Sequence, residues 1–175
     1  MDSDLPAELR ISRLALTVLR ADLGRALPEE GCGLLLGLID GPRWRIRRIW
    51  PCRNSWEPLS ERAQRFAIDP REQLLAQRWS RQHGWQVLGS AHSHPTSEPV
   101  PSAIDRQLAF VPTLMLILGP AAGAGGTVMP GRPAESAGAA AGPGWVSEPE
   151  LAAWWLAGDG QPGGPCRRLG WRMED

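Results

Sequence analysis

The chain has no lysine and no tyrosine, and only 3 cysteines, 3 histidines and 2 phenylalanines among its 175 residues. Because all 19 of its basic residues are arginine, none of its side chains can accept an isopeptide-linked protein modifier. Cys32, Cys52 and Cys166 lie far apart, form no Cys-x-x-Cys pair and leave at least one thiol unpaired. This pattern argues against a disulfide framework.

An excess of charge of one sign is also lacking, since the 19 arginines are balanced by 19 aspartates and glutamates. A chain without net charge has no strong generic attraction to nucleic acid or to an anionic membrane surface. No segment approaches the roughly 18 apolar residues that a membrane span needs. The N-terminus carries no basic region followed by an apolar stretch. We therefore expect a cytoplasmic protein without a nucleic-acid or membrane partner, and the oligomeric state stays open.

Length and composition indicate one globular domain over residues 1–175. At 42% hydrophobic, a chain of 175 residues can bury one hydrophobic core, and nothing in it indicates a second. The predicted core covers residues 12–118 and 145–160. Residues 119–144 are mostly glycine, alanine and proline, which predicts a flexible loop. This loop is either a lid over a site or an insertion that the surface tolerates, and the second interpretation is favoured.

Apolar periodicity and turn-forming residues predict a mixture of helices and strands. Helices are predicted at residues 17–27, 71–83 and 102–110, and strands at residues 33–39, 44–49, 66–68, 85–89 and 113–118. Residues 145–155 are predicted to form an edge strand or a helix, whereas the last ten residues allow no prediction. In the helix that Pro70 opens, Leu74, Leu75 and Trp79 are expected to face the core. Such alternation around one sheet makes this an α/β or α+β domain.

His92 and His94 directly follow the strand predicted at residues 85–89. Side chains at positions i and i+2 of a strand point to one face, so both imidazoles can bind one metal ion. Asp105 follows across a proline-bounded loop and would supply a carboxylate as the third ligand. Two imidazoles and one carboxylate leave a fourth tetrahedral position open, as in catalytic zinc sites.

Ser102 and Asp105 also fit a purely structural role. A serine followed three residues later by an acidic residue, here just after Pro101, is typical of a capping box at the start of a helix. The two interpretations are compatible, because a cap at Ser102 would fix where the helix begins and would aim Asp105 at the metal.

The spacing of these residues resembles the signature of a known family. Four positions match the motif H-x-H-x7-S-x2-D of the JAMM (MPN+) metallopeptidases, namely His92, His94, Ser102 and Asp105. That family also carries an upstream glutamate in a segment written P-x-E-x-C-G-L-L-x-G. Residues 28–37, PEEGCGLLLG, match this segment position by position and place the family's glutamate at Glu30 rather than at Glu29. Without the downstream motif, Glu30 would be interpreted as a solvated acid in a turn.

The resemblance implies one zinc ion per chain, held by His92, His94 and Asp105. Zinc lowers the pKa of a bound water to about 7, which makes hydroxide available at neutral pH, and it also polarises a carbonyl group. Glu30 would act as general base toward that water and then as general acid toward the leaving amine. Ser102 would donate a hydrogen bond to the tetrahedral oxyanion.

The resemblance also implies the MPN fold, a mixed β-sheet flanked by helices and related in shape to the cytidine deaminases. The shared shape raises the alternative of a deaminase. Zinc deaminases carry H-x-E and P-C-x-x-C motifs, and neither occurs in this chain. Amide hydrolysis is therefore favoured over deamination.

Compact prokaryotic members of the family, which this chain resembles, are associated with small ubiquitin-like or sulfur-carrier proteins. We therefore expect a zinc isopeptidase or peptidase that cuts after the C-terminal Gly-Gly of such a carrier or of its adduct. A glycine tail suits a narrow groove beside a metal, where an added strand gains backbone hydrogen bonds.

Two other classes of protein stay open. A RadC-type protein, linked to DNA repair, has a similar H-x-H-P…P-S-x-x-D loop, but residues 28–37 and the absence of net charge favour the peptidase. A non-catalytic MPN scaffold would share the fold, but this chain keeps every residue of the ligand set.

Overall fold

A computed structural model of the chain describes residues 5–123, 128–129, 144–145, 147–157 and 164–175. Helices and strands alternate along this part of the chain. In order they are β1 (Glu8–Ser12), α1 (Arg13–Arg25), β2 (Cys32–Asp40), β3 (Arg43–Cys52), a 3-10 turn (Leu59–Glu61), α2 (Pro70–Gln82), β4 (Gln86–Ser93), α3 (Ala103–Leu108), β5 (Thr113–Gly119), β6 (Val128–Met129), β7 (Gly144–Trp145), β8 (Glu150–Leu156), β9 (Cys166–Leu169) and β10 (Trp171–Glu174).

The central feature is a sheet of eight strands in the order β10-β1-β3-β2-β4-β5-β8-β9. β1 runs parallel to β10 and β3, and β4 runs parallel to β5, whereas the other neighbours are antiparallel. β6 and β7 form a separate two-stranded ribbon. The predicted mixed sheet flanked by helices is thus confirmed.

α1 covers one face of the sheet and begins earlier than the predicted residue 17. The hydroxyl of Ser12 accepts a hydrogen bond from the backbone amide of Ala15 and caps the helix, so the helix starts at Arg13. Its buried face packs on the main core, to which the strands contribute Leu9, Ile11, Leu35, Trp44, Ile46, Ile49, Leu88, Ala91, Leu114, Leu116, Leu118, Leu151, Ala153 and Trp155.

α2 lies on the opposite face of the sheet, and its predicted buried side is partly wrong. Pro70 opens the helix, as expected, and the side chain of Asp69 caps it. However, Leu74 and Leu75 are 66% and 52% exposed, whereas Ala76 and Ser80 are fully buried. Small residues at this spacing let the helix approach β2 and β4 closely, and the tryptophans around them fill the remaining space.

Two further predictions of strands need correction. Residues 66–68 form no strand, because the backbone carbonyl of Ala67 accepts from the amide of Ser55 (2.9 Å) in an irregular segment rather than from a sheet neighbour. Residues 145–155 are predicted to form an edge strand or a helix. The structure has a strand there, β8, but this strand lies inside the sheet between β5 and β9 and not at its edge. The last ten residues, which allowed no prediction, form β9 and β10, and β10 pairs with the unanticipated β1.

The predicted loop at residues 119–144 lies largely outside the described residues, and so do residues 158–160 of the predicted core. Within the loop, the structure describes residues 119–123 and the pairing of β6 with β7. None of the helices in the described ranges is long and apolar enough to cross a membrane. The domain boundaries stay a prediction.

Gly89 is a position where the neighbouring backbone leaves no room for a side chain. A Cβ atom there would lie 1.9 Å from the carbonyl oxygen of Leu114 on β5. We expect Gly89→Ala to lower the free energy of unfolding by at least about 2 kcal/mol, because β4 and β5 would have to separate. Chemical denaturation measures this, with Gly170→Ala as the matched control. A Cβ at Gly170 would meet nothing within 4 Å, so an equal loss in both variants would contradict the explanation.

Candidate metal centre and active site

Three side chains suited to bind a metal converge at the end of β4. The Nε2 atoms of His92 and His94 lie 3.1 Å apart. Each of these nitrogens lies 3.5 Å from Oδ2 of Asp105. All three side chains are buried. The structure therefore brings together the three residues that the sequence predicted as ligands.

The spacing of these ligand atoms fits a tetrahedral zinc ion. Atoms bound at about 2.0–2.1 Å from zinc lie about 3.3 Å from one another in a tetrahedron. Nδ1 of His94 lies 2.7 Å from the carbonyl oxygen of Glu98, so this nitrogen carries a proton and Nε2 offers its lone pair. Among the described residues, Nδ1 of His92 has no hydrogen-bond partner. The donor set of two imidazoles and one carboxylate thus fits zinc in both spacing and chemistry.

Burial and mutual contacts set the charges of these three groups. Burial alone would raise the pKa of the Asp105 carboxyl, but hydrogen bonds with His92 and His94 hold it well below its usual range. Burial lowers the pKa of His92. Burial would do the same for His94, but hydrogen bonds with Asp105 and the Glu98 carbonyl leave its pKa raised. The cluster therefore holds a carboxylate beside a readily neutral imidazole, which suits binding of a cation.

Asp105 is aimed at the histidines by its place in the first turn of α3. The hydroxyl of Ser102 accepts from the amide of Asp105 (3.1 Å), and Oδ2 of Asp105 accepts from the amide of Ser102 (2.7 Å). These two bonds form the capping box of α3. The hydroxyl accepts one bond and keeps its own proton to donate, and Ser102 is exposed. The capping role and a role in binding substrate are therefore compatible at this residue.

Glu30 is a buried carboxylate next to the metal-binding cluster. Its side chain is 4% exposed, and its Oε2 atom has no hydrogen-bond partner among the described residues. Burial raises the pKa of Glu30 to about 8, while the charge of His94 lowers it and that of Asp105 raises it. A carboxyl group that titrates near neutral pH is able to accept and return a proton under physiological conditions.

Ser93 joins the glutamate segment to the histidine strand, a role that the sequence did not indicate. The amide of Gly31 donates to the hydroxyl of Ser93 (2.8 Å), and the amide of Ser93 donates to the carbonyl of Gly31 (3.0 Å). Ser93 stands between the two histidines, and its position in the motif was the only available signal. These bonds hold the segment that carries Glu30 against the end of β4, where the charges of His94 and Asp105 act on the Glu30 carboxyl.

Phe66 packs against the metal-binding cluster and was predicted only as part of a strand. Its ring stacks on that of His92, with centroids 4.4 Å apart and planes inclined by 22°. An apolar ring in this position keeps water away from one side of the imidazole and restricts its rotation. Phe66 and His92 belong to different segments of the chain, so the periodicity of the sequence does not predict that their rings stack.

Two tryptophans fasten the loop that joins His94 to α3. The indole nitrogen of Trp154 donates to the carbonyl of Pro99 (2.8 Å), and that of Trp145 lies 3.4 Å from the carbonyl of His94. Trp154 also packs against the sheet, as its sequence context predicted. The loop is therefore anchored by side chains from beyond β5.

Cys32 behaves as a small packing residue beside the site. It pairs directly opposite His92 across β2 and β4, and it is fully buried. Burial raises the pKa of its thiol to about 12, so the thiol is protonated at neutral pH and is a poor nucleophile. All three cysteines are free thiols.

A cavity of about 430 Å³ opens next to Asp105. It lies over β4 and β5, between α2 and α3, and its walls include Trp56, Phe66, Ile68, Leu108 and Phe110. Phe110 is 89% exposed at its rim. Asp105 is the member of the cluster that lines this cavity, and mostly apolar clefts of this size are common ligand-binding sites.

Comparison with known proteins agrees with this geometry. A desampylase from Haloferax volcanii is 32% identical over 91 residues, which are 52% of this chain and 62% of that protein. The chain thus spans less than two thirds of the length of this curated relative. Protein DSY2949 from Desulfitobacterium hafniense is 27% identical, with a TM-score of 0.69 over 95% of this chain and 93% of that one.

A protein from Salinibacter ruber is 26% identical, with a TM-score of 0.59 over 95% of this chain and 92% of that one. A family model described as prokaryotic homologs of the JAB domain matches residues 13–157, which include β2, β4, α3 and every predicted site residue. The chain therefore belongs to the prokaryotic JAB family, as its resemblance to the JAMM metallopeptidases implied.

Proposed function

We propose that this chain is a zinc-dependent isopeptidase or peptidase that hydrolyses an amide bond. In this proposal His92, His94 and Asp105 hold the metal, and Glu30 and Ser102 are the catalytic residues. The observation that carries it is the tetrahedral spacing of the three ligand atoms beside a buried carboxylate with a free oxygen. Membership in the JAB family supports the same reaction class.

His92, His94 and Asp105 would hold zinc through Nε2, Nε2 and Oδ2, and three protein ligands of these types are usual for a catalytic zinc ion. Bound zinc polarises the scissile carbonyl and lowers the pKa of water toward neutrality. Asp105 brings the only negative charge of the ligand set, and its capping box keeps that charge in place. The hydrogen bond of His94 Nδ1 to the Glu98 carbonyl keeps the other ring nitrogen turned toward the metal.

Glu30 would transfer the proton. Its carboxylate takes a proton from the attacking water and delivers it to the amide nitrogen, so that the carbon–nitrogen bond breaks and the amine leaves neutral. The raised pKa of this buried group, about 8, makes the protonated form accessible at neutral pH. The positive charge of a bound metal would lower that pKa and favour the carboxylate at the start of the cycle.

Ser102 would stabilise the oxyanion that develops on the scissile carbonyl. Its hydroxyl already accepts a bond from the amide of Asp105, so the proton of the hydroxyl points away from that amide and is free to be donated. A donor fixed in place before the reaction has little reorganisation to undergo as charge develops.

The proposed substrate is the C-terminal Gly-Gly tail of a ubiquitin-like or sulfur-carrier protein, or an adduct of that tail. The related Haloferax volcanii protein is named a desampylase, an isopeptidase that acts on a ubiquitin-like modifier. The apolar cleft beside Asp105 offers room for an extended chain. Two glycines would let the scissile bond approach the buried metal cluster without side chains that collide with its walls.

We expect the zinc-loaded protein to cleave a carrier protein whose Gly-Gly tail is joined to the side chain of a lysine. Glu30→Gln should lower kcat by at least about 100-fold, because it removes the proton transfer, while zinc content stays at one ion per chain. Mass spectrometry follows the products. Glu29→Gln is the control, since Glu29 lies outside the proposed machinery. Undiminished cleavage by Glu30→Gln would refute the mechanism, and no cleavage by the zinc-loaded wild type would refute the proposed reaction.

Ser102→Ala should lower kcat by about 100- to 1000-fold through loss of the oxyanion donor. It should also cost about 1 kcal/mol of stability through loss of the helix cap. Ser12→Ala separates the two effects, because Ser12 caps α1 in the same way and lies far from the cluster in the sheet order. Comparison of kcat, zinc affinity and melting temperature for both variants is the test. If Ser102→Ala is no slower than Ser12→Ala, Ser102 is only a cap.

Glu30 also predicts how the stability of the metal-free protein depends on pH. Burial raises its pKa from the ordinary 4.5 to about 8, so between these values the folded chain holds a proton that the unfolded chain has lost. The free energy of unfolding therefore falls as pH rises through this range. We expect the melting temperature of the wild type with chelator to drop relative to Glu30→Gln between pH 5 and pH 8. Parallel curves for the two proteins would contradict the raised pKa.

A further inference from the structure

Asn54 lies just after β3, and its side-chain amide is satisfied at every position. Its Nδ2 atom donates to the carbonyl of Glu30 (3.0 Å) and to the carbonyl of Arg65 (2.8 Å). Its Oδ1 atom accepts from the amides of Trp56 (3.0 Å) and Ala67 (3.2 Å). The two N–H groups of the Asn54 side chain donate to two backbone carbonyls, and its oxygen accepts from two backbone amides. These partners fix the orientation of the side-chain amide.

These bonds tie Glu30 to the segment at residues 55–67, which we name the strap. The Nδ2 atom of Asn54 bonds to the backbone carbonyl of Glu30. Its other bonds, to Trp56 at the start of the strap and to Arg65 and Ala67 at its end, close the strap. Within the strap, the backbone carbonyl of Arg62 accepts a hydrogen bond from the amide of Glu30 (2.7 Å). Both backbone groups of Glu30 are therefore held by Asn54 or by the strap that Asn54 closes.

The position of the Glu30 carboxylate depends on this backbone anchorage. Its Oε2 atom has no hydrogen-bond partner among the described residues, so no protein contact fixes that oxygen directly. Phe66, which stacks on His92, lies in the strap between two residues that bond to Asn54. A single amide thus fixes the backbone of the proposed base and the ring that packs on a proposed metal ligand.

We propose that Asn54 is a positioning residue that sets where the carboxylate of Glu30 stands relative to the metal-binding cluster. This inference rests on the proposed function for its kinetic consequence, but not for its structural one. Aspartate has nearly the same shape as asparagine but lacks the amide protons, so it would turn an oxygen toward the carbonyls of Glu30 and Arg65. Repulsion would then release Glu30 while the amides of Trp56 and Ala67 kept their acceptor.

The kinetic test compares Asn54→Asp and Asn54→Ala with Ser55→Ala. The hydroxyl of Ser55 donates to the carbonyl of Ala67 (2.9 Å), so the control removes a bond of the same strap without touching Glu30. We expect both Asn54 variants to lose about 100-fold in kcat, as a misplaced reacting group does. Zinc affinity should stay within about threefold of the wild type, because the three ligands are unchanged. KM should change less than kcat, because Asn54 itself does not line the cavity.

Amide hydrogen exchange tests the anchorage without any substrate. We expect exchange at the amides of Glu30 and Gly31 to become at least about tenfold faster in Asn54→Asp, and to be unchanged in Ser55→Ala. Unchanged exchange at both amides, or a kcat within about threefold of the Ser55→Ala control, would overturn the proposal. If the wild type cleaves no Gly-Gly substrate, the proposed function fails, and hydrogen exchange alone still decides whether Asn54 positions Glu30.

Discussion

The antiparallel pairing of β2 with β4 is the constraint on which the site depends. Cys32 stands opposite His92, so Glu30, just before β2, and His94, just after β4, lie at the same end of these two central strands. A slip of one residue would turn His92 to the other face, away from Asp105. The two bonds between Gly31 and Ser93 lock the register where it matters. The chemistry of the site is therefore a consequence of strand pairing.

Polar contacts, rather than a large apolar surface, then set the geometry around these strand ends. α3 has only six residues, too few to be stable as an isolated helix, and it depends on the capping box that also orients Asp105. Glu30 is held through its backbone by Asn54 and Arg62. Each of these contacts is individually modest, but a misplacement of a reacting group by about 1 Å is enough to reduce catalysis strongly.

Sequence reasoning found the three candidate ligands because they are rare residues at a fixed spacing. His92, His94 and Asp105 stand close together in the chain, and the segment around Glu30 has a recognisable pattern. The alternation of helices and strands followed from the apolar runs, whereas the mixed sheet followed from the resemblance to a known family. What it missed depends on contacts between distant segments: Phe66 on His92, Ser93 on Gly31, and Asn54 on the strap. The apolar periodicity also predicted that Leu74 and Leu75 lie on the buried face of α2. The structure buries the smaller Ala76 and Ser80 there instead, because the helix packs closely on the sheet.

The indole hydrogen bonds to the loop between β4 and α3 have a consequence for how members of this family can diverge. Trp145 on β7 and Trp154 on β8 follow the connection between β6 and β7 in the chain, yet their indoles bond to the carbonyls of His94 and Pro99. The anchor points sit on secondary structure beyond the connection, so they do not depend on how many residues it contains. Evolution is free to lengthen or shorten that stretch, or to add a recognition element there, while the geometry of His92, His94 and Asp105 is inherited unchanged.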